Sequence, residues 1–382
     1  MSLTEIATSK KSADKEARLN GFLQNFSLQL FRACSTVVFP NKRSASMGAQ
    51  VPVTFERLRR KINPLTPVAS HRYNVAAAET ELSNVLDKAE AFSRVYDNFL
   101  DDESRRTLIR VLLHRCLGAR HSPPLPNEDG FWKSYDEVDQ KFLVQRGTKE
   151  FWQWTLNRYQ IPGRQGMVHM HGTPGHVLCE FINPQYRLEI PGFTVSAEEG
   201  DIIVDGGGCF GDTALYFADQ CGASGEVYSY EFVTDSLKLF RENVSLNPGL
   251  EKCIFVVEQA LSSTSGKAFR YEDNGPGTTS TVTGTRIATT GTIDELQASL
   301  KDRAIDFIKL DIEGSELEAI FGARKTLCDY RPRLAIAVYH CLEHLHAIQN
   351  YLDDLNLGYK FALRHFTPGP WETVLFAKVR NN

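Results

Sequence analysis

From Ile202 to the C-terminus, apolar and polar positions switch between two periods. Short apolar runs at Asp201–Val204, Glu226–Tyr230, Cys253–Val257, Phe307–Leu310 and Leu334–Val338 predict strands of a buried sheet. Helical spacing between them predicts helices at Asp212–Gln220, Ser236–Leu246 and Glu316–Leu327. Thr292-Ile-Asp-Glu295 fits a capping box and should open a helix running to Leu300. This alternation implies βαβ units and a parallel sheet. Tyr359–Leu363 and Val374–Val379 read as a closing hairpin, with Pro368-Gly369-Pro370 in its turn. Thr278–Thr290, rich in Thr, Ser and Gly, reads as a flexible loop.

The first part of the chain carries a different pattern. Leu82, Val85, Leu86, Ala89 and Phe92, then Leu108, Val111, Leu112 and Cys116, recur at helical spacing and predict two helices within Ala77–Gly118. Asp101, Asp102 and Glu103 place carboxylates at the positive end of the second helix. Gly21–Pro40 predicts an amphipathic helix or a loosely ordered arm, Met1–Glu16 a polar tail, Asn41–Ala69 an irregular connection and His121–Gly130 a linker. The aromatic stretch Phe131–Tyr159 should pack on the later domain, and Val168–His171 and Tyr186–Ile190 alternate like strands. The expected division is a mainly helical region over residues 1–160 and an α/β domain over 161–382.

Composition narrows the function classes. A length of 382 residues suggests two domains. A net charge of −4 and no basic stripe argue against a nucleic-acid partner. The apolar stretch Gly21–Pro40 is interrupted by Gln24, Asn25, Gln29 and Arg32, so neither a signal peptide nor a membrane partner is expected. The eight cysteines lack any C-x-x-C pair and read as reduced, buried residues of a cytoplasmic protein.

The chemistry concentrates after the strands. Asp205-Gly-Gly-Gly-Cys-Phe-Gly211 lies between a strand and a helix, where glycines let the backbone pass close to a ligand. Gly206, Gly208 and Gly211 also satisfy G-x-G-x-x-G, which allows a dinucleotide. Glu231, at the end of the next strand, is placed to accept both ribose hydroxyls, and ribose is common to NAD and S-adenosylmethionine. Asp205 beside the glycines would repel a pyrophosphate and favour a cationic donor. The hairpin at the end of the chain points the same way. Asp311 and Glu313, after the fourth strand, should face the same crevice, cap the next helix, or share a divalent cation such as Mg²⁺. His340 and His365, at ends of later strands, are candidate general bases; His340 and His344 have one-turn metal-ligand spacing if a helix begins there. His344 and His346 otherwise read as helix-surface residues, and His171 as a strand residue.

Together these stretches resemble the FkbM family of methyltransferases. The resemblance is carried by Asp205–Gly211, by Tyr230-Glu231 with Glu242-Asn-Val-Ser-Leu-Asn247, by Thr292-Ile-Asp294 with Asp306–Glu316, and by Tyr339-His340 with Arg364-His365. It implies a Rossmann-like class I methyltransferase fold, doubly wound and mostly parallel, with a C-terminal antiparallel hairpin. It also implies S-adenosylmethionine as donor and O-methylation of a hydroxyl on a sugar, polysaccharide or natural-product scaffold. Carried over, Asp205, Gly206, Gly207, Gly208, Cys209, Gly211, Asp212 and Thr213 line the cofactor. Glu231 and Phe232 lie by its ribose, Gln259 and Ala260 by the adenine, and Asp311 by the transferred methyl. The loop departs from the family at Cys209, where Asn is common, and at the bulky Phe210. A nicotinamide-dependent oxidoreductase and a non-catalytic binding module are the rival readings. A small-molecule or glycan acceptor is the expected partner, and self-association stays open.

Overall fold

The computed structural model describes residues 17–30, 75–118 and 128–379. The tail at 1–16, the segment 41–69 and most of the expected linker lie outside the described residues, as does 31–40 of the expected early helix. The chain divides into two compact units, Met1–Asp97 with Leu108–Pro124, and Asn98–Thr107 with Leu125–Asn382. The boundaries fall at 97/98, 107/108 and 124/125, and residue 160 lies inside a strand, Trp154–Pro162.

The first unit is helical where described. It contains α1 (residues 17–30), α2 (Val75–Asp87), α3 (Ala89–Asn98) and the later part of α4 (Asp102–Leu117). Three helices replace the two expected between Ala77 and Gly118, because a turn at Lys88 separates α2 from α3. Phe22 stacks on Phe26 and Phe92 with ring centroids 5.9 and 6.2 Å apart.

From residue 125 the second unit continues with α5 (Glu128–Phe142) and the antiparallel strands β1 (Leu143–Phe151), β2 (Trp154–Pro162) and β3 (Met167–Gly172). Phe131, Tyr135, Phe142 and Trp154 of the aromatic stretch pack against its core, as expected. A short ribbon follows, β4 (Leu188–Ile190) with β5 (Phe193–Val195).

The central sheet has seven strands: β6 (Ile202–Gly206), β7 (Glu226–Tyr230), β8 (Ile254–Val257), β12 (Phe307–Leu310), β13 (Arg333–Ala337), β14 (Tyr359–His365) and β15 (Thr373–Val379). Their spatial order is β14-β15-β13-β12-β6-β7-β8. The five from β13 to β8 are parallel, and β15 runs antiparallel between β13 and β14. Ile203, Val204, Phe307, Ile308, Leu334 and Ile336 are fully buried, as strands covered on both faces must be. The covering helices include α6 (Asp212–Cys221), α7 (Thr234–Ser245), α8 (Ile293–Ser299), α9 (Glu316–Phe321), α10 (Arg324–Tyr330) and α11 (His344–Asp354). This is the expected doubly wound, mostly parallel sheet with a closing hairpin.

Thr292 Oγ1 accepts from Glu295 N at 3.1 Å, so half of the expected capping box forms. Two local expectations change. The Thr278–Thr290 loop ends early, because β11 (Arg286–Gly291) pairs with β10 (Ala268–Tyr271) and with β9 (Ala260–Leu261). The single helix expected over Glu316–Leu327 is broken at Gly322–Ala323. There, Asp294 of α8 caps α10 by accepting from Lys325 N and Thr326 N at 2.9 and 2.7 Å. A Cβ on Gly322 would lie 2.1 Å from Ser262 O, so the break is also a close approach.

Candidate active site

The glycine bend leaves β6 at Gly206 and enters α6 at Asp212. Gly207 N and Gly208 N both donate to Tyr230 O, at 3.1 and 3.0 Å, which pins the bend to β7. Gly207 has φ 85, and a Cβ there would stand 1.9 Å from Asp311 O, so only glycine fits. Cys209 takes φ 42. That left-handed region suits Asn better than Cys. Phe210 is fully buried, edge-on to Phe151 and His176 at 5.6 and 4.7 Å. Its bulk fills the interface with the leading strands rather than the ligand side of the bend.

Asp205 does not offer its carboxylate to a ligand. The sheet register sets Asp205 directly between Lys309 and Ser229. Its oxygens accept from Lys309 Nζ at 3.0 Å, Ser229 Oγ at 2.7 Å and Thr213 Oγ1 at 2.9 Å. Lys309 Nζ also donates to Gly206 O and Gly207 O, at 3.0 and 2.8 Å. Burial alone would discharge Lys309, but the Asp205 and Asp311 charges hold it protonated, above its ordinary value. The expected repulsion of a pyrophosphate by Asp205 therefore loses its basis, since an ammonium offsets that charge. Lys309 was readable as a lone cation in an otherwise apolar strand, which demands a buried carboxylate partner.

Glu231 stands at the tip of β7, beside the bend, and is 9% exposed. Its Oε1 accepts from Phe232 N and Val233 N at 2.6 and 2.7 Å. Burial raises its carboxyl to about 7 against the lowering of these amides. Phe232 packs edge-on to Phe269 and Tyr271 of β10, at 5.3 and 5.1 Å. Gln259 and Ala260 are half-buried, at the start of β9. Asp212 is buried at the first turn of α6, and burial lifts its carboxyl to about 7.

A second group surrounds the end of β12. Asp311 Oδ2 accepts from Tyr186 OH at 2.7 Å, and Oδ1 from Tyr339 OH at 3.0 Å. His340 Nε2 lies 3.5 Å from Asp311 Oδ1 and 3.4 Å from Glu313 Oε2, and its Nδ1 lies 2.9 Å from Glu316 Oε1. His344 Nδ1 reaches the other Glu316 oxygen at 3.0 Å. The ring nitrogens sit off the hydrogen-bonding directions, so these contacts act as ion pairs. Burial disfavours the imidazolium of His340, yet Glu313, Glu316 and Asp311 together raise it to about 11. A ring that these acids favour in its protonated form is a poorer proton acceptor near neutral pH than the expected base.

α11 begins only at His344, so His340 and His344 do not share a helix face; they converge on the buried Glu316 instead. His344 and His346 are buried, not on the helix surface. Ligand atoms of Asp311, Glu316 and His340 lie within 4.8 Å of one another, a set able to hold a metal ion, with Glu316 in the place expected for Glu313. His365 is buried at the end of β14, its Nδ1 2.8 Å from Thr373 Oγ1. His171 is a buried strand residue, its Nδ1 2.8 Å from Thr148 Oγ1.

Sequence reasoning missed Glu372, which precedes β15. It has φ 66, and its Oε2 is buried without a hydrogen-bond partner. Burial first, then the Asp311 charge, raises its carboxyl to about 8, with His340 and Lys309 opposing. An isolated Glu in a turn gives no sequence signal of such a neighbourhood.

Residues 205–361 match the model of the family described as the methyltransferase FkbM domain. Among solved structures, the FkbM methyltransferase from Methylobacillus flagellatus KT is 20% identical over 77% of this chain, with a TM-score of 0.49. The chain spans 60% of that protein's length. Fibrillarin from Aeropyrum pernix, in complex with S-adenosyl-L-methionine, is 14% identical over 62% of this chain and 99% of its own, with a TM-score of 0.33. The O-methyltransferase from Bacillus cereus, in complex with SAH, is 13% identical over 54% and 80%, with a TM-score of 0.31. None of the curated proteins compared with the chain matches it. The match to the methyltransferase FkbM domain runs through residues 205–361, the part of the chain that holds the bend, Glu231 and the Asp311 cluster.

Proposed function

We propose that the chain transfers a methyl group from S-adenosylmethionine to an acceptor hydroxyl, on a sugar, polysaccharide or natural-product scaffold. The observation that carries this reading is the family match across the glycine bend and the Asp311 cluster. When bound, the donor supplies a methyl carbon already activated by its sulfonium. The donor lies beside the glycine bend, and Glu231 at the tip of β7 serves its ribose hydroxyls. Tyr186 and Tyr339 hold Asp311 in one orientation, which suits it to align the acceptor oxygen. Glu372, whose Oε2 is buried without a hydrogen-bond partner and whose carboxyl is raised toward neutral pH, is the group proposed to take the proton in place of His340.

Glu316 oxygens already accept from Ile312 N and Gly314 N, at 2.8 and 3.1 Å, and the reading routes no step through Mg²⁺. The partner proposed is a small molecule or glycan, without nucleic acid or membrane, in the cytoplasm. Among the described residues no helix is long and apolar enough to cross a membrane.

Calorimetric titration tests the donor. S-adenosylmethionine should bind, NAD should not, and Glu231→Gln should weaken the first by roughly tenfold, the worth of one charge-assisted hydrogen bond. Binding of NAD alone would remove the methyltransferase reading. Label transfer from methyl-labelled donor to host-cell extract tests the base. Its rate should rise with pH as Glu372 ionises near about 8, Glu372→Gln should flatten that limb, and chelation with EDTA should leave the rate unchanged. An unaltered pH profile in Glu372→Gln takes the proton away from this residue.

A further inference from the structure

Ahead of the family-matched residues, two hydrogen-bonded buried side chains each leave one oxygen with nothing donating to it. Glu180 and Gln185 are each 4% exposed. Glu180 sits on the wide helical turn Leu178–Ile182, closed by Asn183 N donating to Leu178 O at 2.7 Å. Turns of this kind recur at functional sites. Gln185 Nε2 donates to Glu180 Oε1 at 2.7 Å and to Tyr186 OH at 3.2 Å. Turning the amide over would set its oxygen against the carboxylate, so this orientation is the one the contacts require. Glu180 Oε2 and Gln185 Oε1 are then left buried without a hydrogen-bond partner. Buried acceptors in this state call for a donor.

Their surroundings say which donor fits. Burial, then the charges of Asp212 at the end of the glycine bend and of Glu372, push the Glu180 carboxyl well above its ordinary value, and a cation placed against it would reverse that push. The same hydrogen-bonded chain runs on from Gln185 through Tyr186 to Asp311. A primary ammonium has three N–H donors and one positive charge, so it can serve both orphaned oxygens and offset the acids around them. A hydroxyl would supply one donor and no charge. We propose that Glu180 and Gln185 form the subsite for a primary ammonium, the α-ammonium of the donor's methionine moiety. The inference rests on the S-adenosylmethionine reading and adds to it residues outside the matched segment.

Calorimetry on the full chain tests it with two ligands that differ in that group. S-adenosylhomocysteine carries the amino-acid tail; 5′-methylthioadenosine keeps the nucleoside and lacks the tail. The wild type should bind both, the first more tightly. Glu180→Gln should weaken S-adenosylhomocysteine by roughly tenfold or more and leave 5′-methylthioadenosine within about twofold. Retained binding of the shorter ligand shows that the variant is folded. Gln185→Leu, a second route if Glu180→Gln does not fold, should weaken S-adenosylhomocysteine severalfold with the same control. Equal losses for both ligands, or none for either, would overturn the subsite while leaving the nucleoside site standing. A wild type that binds neither ligand overturns the donor reading and the subsite together.

Discussion

Lys309→Met should lower the unfolding free energy of the α/β unit by about 3–5 kcal/mol, the usual cost of stripping one partner from a buried ion pair. Both side chains are almost wholly shielded, Lys309 at 1% and Asp205 at 0% exposure. All three ammonium donors are spoken for, one by Asp205 and two by the carbonyls of Gly206 and Gly207. Methionine fills the volume but strands the carboxylate and frees the two carbonyls that shape the bend. Affinity for S-adenosylhomocysteine should therefore fall together with stability. Adding Asp205→Asn should recover part of the stability, because the orphaned charge is then gone, and a double-mutant cycle reads the coupling. Urea denaturation of the four proteins decides the matter. A midpoint for Lys309→Met equal to the wild type would mean that the pair carries no weight.

Glu316→Gln should cost a similar amount, about 3–5 kcal/mol, but only within a pH window. Glu316 is fully buried, and burial would raise its carboxyl; His340 and His344 overcome that and lower it to about 2. Its stabilisation is present above the ordinary value of 4.5 and is lost as pH falls toward 2. His340 and His344 are displaced the other way, from 6.5 to about 11 and about 9. Their share is complete below 6.5 and drains away as pH climbs through 9 and then 11. The difference between wild type and variant should therefore be largest between about pH 4.5 and 6.5, and should shrink toward pH 10. Denaturation curves across that range provide the check. A difference independent of pH would show that the histidines are not charged against Glu316.

These expectations also mark what the chain discloses when read as letters. The sheet was legible because its strands are covered on both faces, so their apolar runs stand out from the amphipathic helices between them. β9, β10 and β11 were not, because they are short and gain their order from pairing with each other. The split between α9 and α10 was hidden because its cause, Asp294, lies on another helix. The glycine bend and Glu231 could be placed by spacing alone. The state of His340 could not, because three carboxylates reach it only once the loop after β12 has folded back. Asp205 misled for a related reason: its neutralising partner is 104 residues away in sequence and adjacent only through strand register. Glu180 and Glu372 lie outside every motif, and only their burial reveals them.

The contact between Gly207 and the backbone of Asp311 has a thermodynamic meaning. Asp311 N donates to Gly206 O at 3.0 Å, and the space beside Gly207 is closed by Asp311 O. The bend after β6 and the loop after β12 thus share one piece of main chain, and any effect of a ligand at one on binding at the other acts by the same factor in both directions.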